Sequence, residues 1–131
     1  MEGCSGPMDP QTKRILIVDD DPNFGLALEL LFAQNGYQVE VARSGEEALD
    51  RMDAFRPQIL LVESRLPFRS GFEICQIVHA RREWQPVRII LMTANERKPE
   101  AAKAAALGAD AYLTKPFSTK ELLETANKLL V

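Results

Sequence analysis

The sequence predicts an α/β domain in which a mostly parallel, doubly wound sheet is covered by helices on both faces. Short apolar runs at positions 15–18, 59–62 and 87–92 have the composition of strands that are buried on both sides. Each run is followed by a segment with apolar residues at helical spacing, and this alternation occurs five times with short connections. Right-handed crossovers then restrict the topology to a few doubly wound arrangements.

Length and composition indicate one globular domain. The chain has 131 residues, of which 46% are hydrophobic and 27% charged, and its net charge of −3 argues against nucleic acid as the main partner. The sequence shows no apolar run of membrane-spanning length and no signal-peptide pattern, and its two cysteines form no disulfide framework. These features favour a cytoplasmic protein. We expect residues 1–12 to be a disordered tail or vector-derived, and residues 13–131 to form the domain.

Capping signals delimit the predicted helices. Asp21 precedes Pro22 and is the expected N-cap of the first helix, which Gly36 ends. Three later Ser and Glu pairs have the spacing of capping boxes at the second, third and fifth helices. These pairs are Ser44 with Glu47, Ser70 with Glu73, and Ser118 with Glu121. The fourth helix is alanine-rich, begins at Pro99 and ends at Gly108.

The two remaining strands have weaker signals. Positions 38–42 alternate around Val39 and Val41, which predicts a half-buried strand at an edge of the sheet. Positions 110–113 predict a short strand that leads into Lys115. Together with the three buried runs, these segments give five strands and five helices.

Residues with distinctive chemistry close the predicted strands. Asp19 and Asp20 follow the first strand, Glu63 the third, Thr93 the fourth and Lys115 the fifth. Because ligands of such sheets bind beyond the carboxyl ends of the strands, we expect these side chains to converge. Clustered carboxylates suit Mg²⁺, and a lysine and a hydroxyl suit a phosphoryl group. The plainer alternative is that strands simply end in polar residues where they meet water.

This ordered set resembles the receiver domain of bacterial two-component response regulators over residues 13–131. The matching positions are Ile17-Val18-Asp19-Asp20, Leu66-Pro67 with Gly71, Thr93-Ala94, Tyr112 and Lys115-Pro116-Phe117. The resemblance implies a flavodoxin-like (CheY-like) three-layer sandwich with strand order 2-1-3-4-5. It also implies a cis peptide bond between Lys115 and Pro116, which proline permits at low cost.

The resemblance also implies a role for each matching residue. Asp19 and Asp20 match the acidic pair that holds Mg²⁺, and Lys115 matches the lysine that contacts the phosphoryl group. Thr93 matches the switch hydroxyl, and Tyr112 matches the aromatic residue that turns inward with it. The implied partners are proteins: a histidine kinase, a phosphotransfer domain or an effector. They would bind the face formed by the fourth helix, fifth strand and fifth helix. No nucleic acid or membrane contact is implied for this domain.

Glu63 stands where receivers carry the phosphoacceptor aspartate. Its extra methylene moves the carboxylate by about 1.5 Å, one carbon–carbon bond, and a 1 Å misplacement can cost roughly 100-fold in rate. We therefore expect a pseudo-receiver that acts by recognition and is not an enzyme. Glu63 could mimic the phosphorylated state, or pair with Lys115 or Arg65 in a docking module. Residual phosphorylation at Glu63 or Asp20 is the third interpretation. Arg65 could also compete with a metal.

An enzymatic alternative is a Mg²⁺-dependent phosphatase of the haloacid-dehalogenase type. Asp19-x-Asp21 after an apolar strand resembles its opening motif, with Asp19 as nucleophile and Asp21 as acid and base. Those enzymes need a second acidic pair after a later strand, and none follows the fourth strand here. A flavin-binding electron carrier is disfavoured because no Ser, Thr and Gly-rich phosphate loop follows the first strand.

Overall fold

The computed structural model describes residues 13–94 and 98–130. Strands and helices alternate along the chain, and a 3₁₀ turn (Arg82–Trp84) follows the third helix. The strands are β1 (Lys13–Val18), β2 (Tyr37–Ala42), β3 (Ile59–Glu63), β4 (Arg88–Thr93) and β5 (Ala111–Thr114). The helices are α1 (Pro22–Gln34), α2 (Gly45–Phe55), α3 (Gly71–Ala80), α4 (Lys98–Ala106) and α5 (Thr119–Leu129). The tail predicted at residues 1–12 lies outside the described residues.

The five strands form one parallel sheet in the order β2-β1-β3-β4-β5, so the predicted fold class and strand order are confirmed. β2 lies at an edge, as its weak alternation predicted. The peptide bond between Lys115 and Pro116 is cis, as the resemblance implied, and a second cis bond joins Gln85 to Pro86. No helix in the described part of the chain is long and apolar enough to cross a membrane.

Two apolar layers lie on the two faces of the sheet. Residues alternate along each central strand, so that Leu16 and Leu60 face α2, α3 and α4, whereas Ile17 and Leu61 face α1 and α5. β1 and β3 are covered by helices on both faces, which is why they read as continuous apolar runs. Cys75 packs in the first of these layers, and burial raises the pKa of its thiol to about 12.

The helix starts follow the capping signals, but of the three predicted capping boxes the structure completes only the one at α3. Asp21 caps α1, and Ser70 with Glu73 forms a complete capping box at α3. The Ser118 hydroxyl accepts the Glu121 N–H at α5. The start of α2 differs from the prediction: the Ser44 hydroxyl accepts the Glu47 N–H, but the Glu47 carboxylate accepts the Arg43 N–H rather than that of Ser44. Arg51 donates to the other oxygen of that carboxylate at 2.9 Å. The Glu47 carboxylate is therefore held next to the Arg43 N–H, one residue before the N–H that a capping box requires.

The helical spacing of the sequence predicts a third helix that continues to about Arg82. In the structure this helix ends at Ala80, and the 3₁₀ turn follows it. The Gln85 side chain donates to the carbonyl oxygens of Val78 and Arg81, at 3.0 and 3.2 Å. These bonds satisfy carbonyl groups that continued helix would otherwise have paired.

Candidate functional site

Three charged side chains from distant parts of the chain meet at the carboxyl end of the sheet. Asp19 follows β1, Glu63 closes β3 and Lys115 follows β5. The Lys115 Nζ atom lies 2.5 Å from Glu63 Oε1 and 3.6 Å from Asp19 Oδ2. Asp19 is 2% exposed and Glu63 is 8% exposed, so both carboxyl groups lie in the protein interior. A single ammonium group therefore serves two buried acids.

Backbone hydrogen bonds fix the chain on each side of this cluster. The Asp19 N–H donates to the Ala42 carbonyl at 3.0 Å, which extends the pairing of β1 with β2. The Lys115 N–H donates to the Thr93 carbonyl at 2.7 Å, which extends the pairing of β5 with β4. Asp19 Oδ1 in turn accepts the Asp21 N–H at 2.9 Å. The cluster is therefore positioned by the ends of the strands rather than by a flexible loop.

Gly71 is required behind Glu63 because the two backbones are in close contact. The Gly71 N–H donates to the Ser64 carbonyl at 2.9 Å. A Cβ atom at Gly71 would lie only 2.1 Å from the Glu63 carbonyl oxygen, closer than real Cβ contacts. Only glycine therefore fits at the start of α3, and this contact holds the chain around Glu63.

Burial dominates the ionisation of both acids. Loss of solvent raises the pKa of Glu63, while the Lys115 ammonium and the Arg65 N–H act in the opposite direction. Burial likewise raises the pKa of Asp19, and the hydrogen bond from the Asp21 N–H and the charge of Lys115 oppose it. The cluster therefore holds its negative charges at a cost in folding free energy.

Two oxygen atoms of the cluster are incompletely satisfied. Asp19 Oδ2 and Glu63 Oε1 are buried and accept no hydrogen bond within the described ranges. Both face Lys115, whose Nζ atom lies 2.5 Å from Glu63 Oε1 and 3.6 Å from Asp19 Oδ2. The Lys115 ammonium is therefore the group that compensates the negative charge of both oxygens.

Lys115 is held against an aromatic wall. Its Nζ atom lies 4.0 Å from the centroid of the Phe24 ring, and Phe24 packs edge-on against Phe117 with centroids 6.3 Å apart. The Lys115 side chain is 26% exposed. This cation–π contact adds to the ion pair and keeps the ammonium over the acids. No periodic signal in the sequence points to this contact, because the spacing of Phe24 is that of the apolar face of α1.

The other predicted site residues differ in their exposure to solvent. Asp20 is exposed at the rim. The side chain of Arg65 is also exposed, and its backbone N–H forms a hydrogen bond that lowers the pKa of Glu63. Thr93 is buried at the end of β4. Tyr112 is half-buried and packs against the apolar layer beneath α2, α3 and α4. The structure thus brings Asp19, rather than Asp20, next to Lys115.

The predicted magnesium set of Asp19, Asp20 and Glu63 is not assembled. Within residues 13–94 and 98–130, no three carboxylate, imidazole or thiolate groups stand together in a way that could hold a metal ion. The Lys115 ammonium lies where it neutralises Asp19 and Glu63, and Asp20 is exposed. The residues present therefore fit an internal ion pair better than Mg²⁺, which needs several oxygen ligands in near-octahedral geometry.

The phosphatase alternative fails at Asp21. Its carboxylate accepts the N–H groups of Asn23 and Phe24 at 3.0 and 3.4 Å and caps α1. A side chain that satisfies the start of a helix is poorly placed to exchange protons with a substrate next to Asp19. The geometry gives no support to the haloacid-dehalogenase interpretation.

Comparisons with known proteins agree with the fold. Residues 15–127 match the family model of the response regulator receiver domain. A putative response regulator from Chloroflexus aurantiacus is 32% identical, with 92% of this chain and 98% of that chain covered and a TM-score of 0.86. The chemotaxis response regulator CheY4 of Vibrio cholerae is 26% identical, with 90% and 98% covered and a TM-score of 0.84.

A third similar structure is the signal receiver domain of a signal transduction histidine kinase from Syntrophus aciditrophicus. It is 27% identical, with 91% of this chain and 90% of that chain covered and a TM-score of 0.84. The family model spans most of the chain and the structural matches span whole receiver domains. The chain therefore belongs to the response regulator receiver domain family of two-component signalling systems.

Proposed function

We propose that this receiver domain acts by protein–protein recognition and that Glu63 supplies a fixed negative charge in place of a phosphorylated aspartate. The observation that carries the proposal is the 2.5 Å contact between Lys115 Nζ and Glu63 Oε1. In receivers, the lysine at this position contacts the phosphoryl group. Here the ammonium is already paired with a carboxylate of the chain itself, which supports a phosphate-independent signalling state.

On this proposal the domain is not an enzyme and carries out no phosphoryl transfer of its own. Glu63 is buried and held by Lys115, so it lacks the freedom to reach a phosphodonor in line. Its partner would be a histidine kinase, a phosphotransfer domain or an effector, bound on the face of α4, β5 and α5. Membership of the receiver family supports both this class of partner and a cytoplasmic location.

A phosphorylation assay tests the first part of the proposal. The intact protein is incubated with acetyl phosphate and Mg²⁺, and its mass is measured. We expect no added phosphoryl group, whereas Glu63→Asp should gain one, because the shorter side chain withdraws from Lys115 and leaves space among the carboxylates for the metal ion. A mass gain in the unsubstituted protein that Glu63→Ala removes would overturn the proposal in favour of phosphorylation at Glu63.

Binding measurements separate a charge mimic from a plain docking module. The affinity of the cognate kinase or effector is measured by calorimetry for the unsubstituted protein, Glu63→Ala and a control, Asp50→Ala, which changes an exposed acid on α2, away from the proposed face. The mimic predicts at least a tenfold loss for Glu63→Ala, equivalent to about 1.4 kcal/mol, and no change for the control. Unchanged affinity in Glu63→Ala would instead make Glu63 a structural residue.

A further inference from the structure

We propose that a pocket at the opposite end of the sheet binds a small aromatic carboxylate. This amino-end pocket has a volume of about 270 Å³. It lies between the start of β1, the connection from α2 to β3, and the segment that joins the 3₁₀ turn to β4. It shares no residue with the cluster of Asp19, Glu63 and Lys115, so the inference does not depend on the proposed function.

The floor of the pocket is apolar and already formed. Trp84, Met52 and Val87 line it, and all three are buried. The Trp84 Nε1–H donates to Asp53 Oδ1 at 2.7 Å, and the Arg81 guanidinium stacks 4.3 Å from the indole centroid. The indole ring is therefore fixed from two sides, and the part of it that borders the pocket is in place before a ligand binds.

The Arg56 guanidinium provides positive charge at the rim of the pocket. Arg56 Nη1 donates to the Glu83 carbonyl at 2.5 Å, and Arg14 Nε donates to the Arg56 carbonyl at 2.8 Å. The Glu83 carbonyl that Arg56 contacts is uncharged. The Glu83 carboxylate pairs with Arg81 at 3.3 Å instead, and no carboxylate of the described ranges forms an ion pair with Arg56. The guanidinium is thus held in place without being neutralised.

Arg56 is also held in an unusual backbone conformation. Its φ of 54° lies in the left-handed region, where it ends α2 and donates its N–H to the Met52 carbonyl at 3.0 Å. This turn directs the chain from the last turn of α2 across the mouth of the pocket. A planar guanidinium held beside an apolar floor suits a ligand that combines a ring with a carboxylate, because arginine binds carboxylates through two parallel hydrogen bonds.

The size of the pocket limits the ligand to a single ring with a short acidic arm. A volume of about 270 Å³ lies near the lower end of small-molecule sites. Phenylacetate has this shape and charge, and it serves as the probe. Phenylacetamide has the same shape without the charge, and acetate has the charge without the ring. The three compounds together separate the contribution of the floor from that of the rim.

The indole N–H resonance of Trp84 reports on the pocket, because Trp84 is the only tryptophan in the chain. The full-length ¹⁵N-labelled protein is titrated with each probe and followed by two-dimensional NMR. We expect phenylacetate to shift this resonance saturably with a dissociation constant of about 1 mM, as befits a ligand of this size. Phenylacetamide and acetate should each bind at least fivefold more weakly.

Two variants localise the charge. Arg56→Gln retains a side-chain donor for the Glu83 carbonyl but removes the positive charge, and it should weaken phenylacetate binding at least fivefold. Arg82 is exposed, belongs to the 3₁₀ turn and does not line the pocket. The control Arg82→Gln should therefore leave phenylacetate binding unchanged. The spectrum of each variant shows whether it is folded, and the comparison of phenylacetate with phenylacetamide tests the charge without any substitution.

Three results would overturn the inference. The first is the absence of a saturable Trp84 shift up to about 20 mM phenylacetate, well above the expected constant. The second is binding of phenylacetamide with the same affinity as phenylacetate, which would show that the positive charge at the rim does not contribute to binding. The third is a shift confined to the amides of Glu63 and Thr93, which would place the anion at the other end of the sheet.

Discussion

The two ends of the same sheet deal with buried polar groups in different ways. At the carboxyl end, the carboxylates of Asp19 and Glu63 share the Lys115 ammonium, and one oxygen atom of each accepts no hydrogen bond in the described part of the chain. At the amino end, the indole of Trp84 and the guanidinium of Arg56 each have a well-formed acceptor. The carboxyl end therefore buries two acids whose pKa values are raised by burial, an arrangement that is common at functional sites.

Helix orientation explains why the two ends attract opposite charges. In a parallel sheet with crossover helices, the helix N-termini lie near the carboxyl end and the C-termini near the amino end. The partial positive charge of the N-termini favours acids such as Asp21, which caps α1. The partial negative charge of the C-termini favours cations such as Arg56 and Arg81, which follow α2 and α3. The opposed charge patterns therefore follow from the topology.

The largest expected effect comes from Gly71, at the carboxyl end. Gly71→Ala forces a Cβ atom against the Glu63 carbonyl, and we expect a loss of about 3 kcal/mol in the free energy of unfolding. Gly36→Ala is the control, since Gly36 has a positive φ of 87° but open space around it. It should lose only about 1 kcal/mol from backbone strain. Urea unfolding measures both, and equal losses would show that the contact behind Glu63 is not tight.

Lys115→Ala should have the next largest effect. It leaves Asp19 and Glu63 buried without a cation, which costs about 3–5 kcal/mol for a fully buried pair. Because Lys115 is 26% exposed, we expect about 2–3 kcal/mol at neutral pH. Lys120→Ala, an exposed change on α5, should have almost no effect. A loss for Lys115→Ala no larger than that of the control would remove the distinction between the two ends of the sheet.

The loss in Lys115→Ala should depend on pH. Burial raises the pKa of Asp19 and Glu63, and without Lys115 the attraction that opposes this rise is gone. When the pKa of a carboxyl group is higher in the folded state than in the unfolded state, the free energy of unfolding falls as pH rises from the unfolded pKa through the folded pKa. The difference between variant and parent should therefore be small near pH 4, about the ordinary carboxyl pKa, and should grow toward neutrality. A difference that is constant with pH would contradict the assignment.

A smaller effect is expected at the amino end. Trp84→Phe removes the hydrogen bond to Asp53. Because Asp53 is exposed, water can solvate its carboxylate in the variant. We expect a loss of about 1 kcal/mol in the free energy of unfolding. The measurement is again urea unfolding, followed by far-UV circular dichroism because the variant has no tryptophan. A loss larger than that of Lys115→Ala would reverse the comparison between the ends.

The smallest expected change is a gain. Phe68, in the connection from β3 to α3, is fully exposed and has a φ of 68°, in the left-handed region. Asparagine adopts this conformation more readily than a bulky aromatic residue does. Phe68→Asn should therefore raise the free energy of unfolding by about 0.5–1 kcal/mol. Thermal unfolding detects such a change, and a loss of stability would show that the Phe68 ring is packed in solution.

The fold was predictable because each of its signals is local. Periodicity and caps gave the order of strands and helices, and the topology followed once the runs near Ile17 and Leu61 were recognised as central parallel strands. The prediction of a capping box at Ser44 was wrong because Arg51, one turn further along α2, also binds the Glu47 carboxylate. Contacts between elements, such as Phe24 beneath Lys115, leave no periodic signal in the sequence.

The candidate site was predictable only in part. Residues that close parallel strands share a rim, and this argument placed Asp19, Glu63 and Lys115 together. It could not distinguish Asp19 from Asp20, because consecutive residues leaving a strand point in different directions and Asp20 points to solvent. The close contact behind Glu63 was also hidden, since the resemblance marks Gly71 as a matching position without giving the backbone contact that requires glycine there.

The Glu63–Lys115 contact has a consequence for timing in the cell. On the proposed function, the charge belongs to a side chain, so no phosphatase can remove it and no donor is needed to install it. The duration of the output would then be set by synthesis and degradation of the protein, and its strength by the ratio of this domain to its partner. Such a domain would report abundance, whereas a phosphorylated receiver reports a recent stimulus.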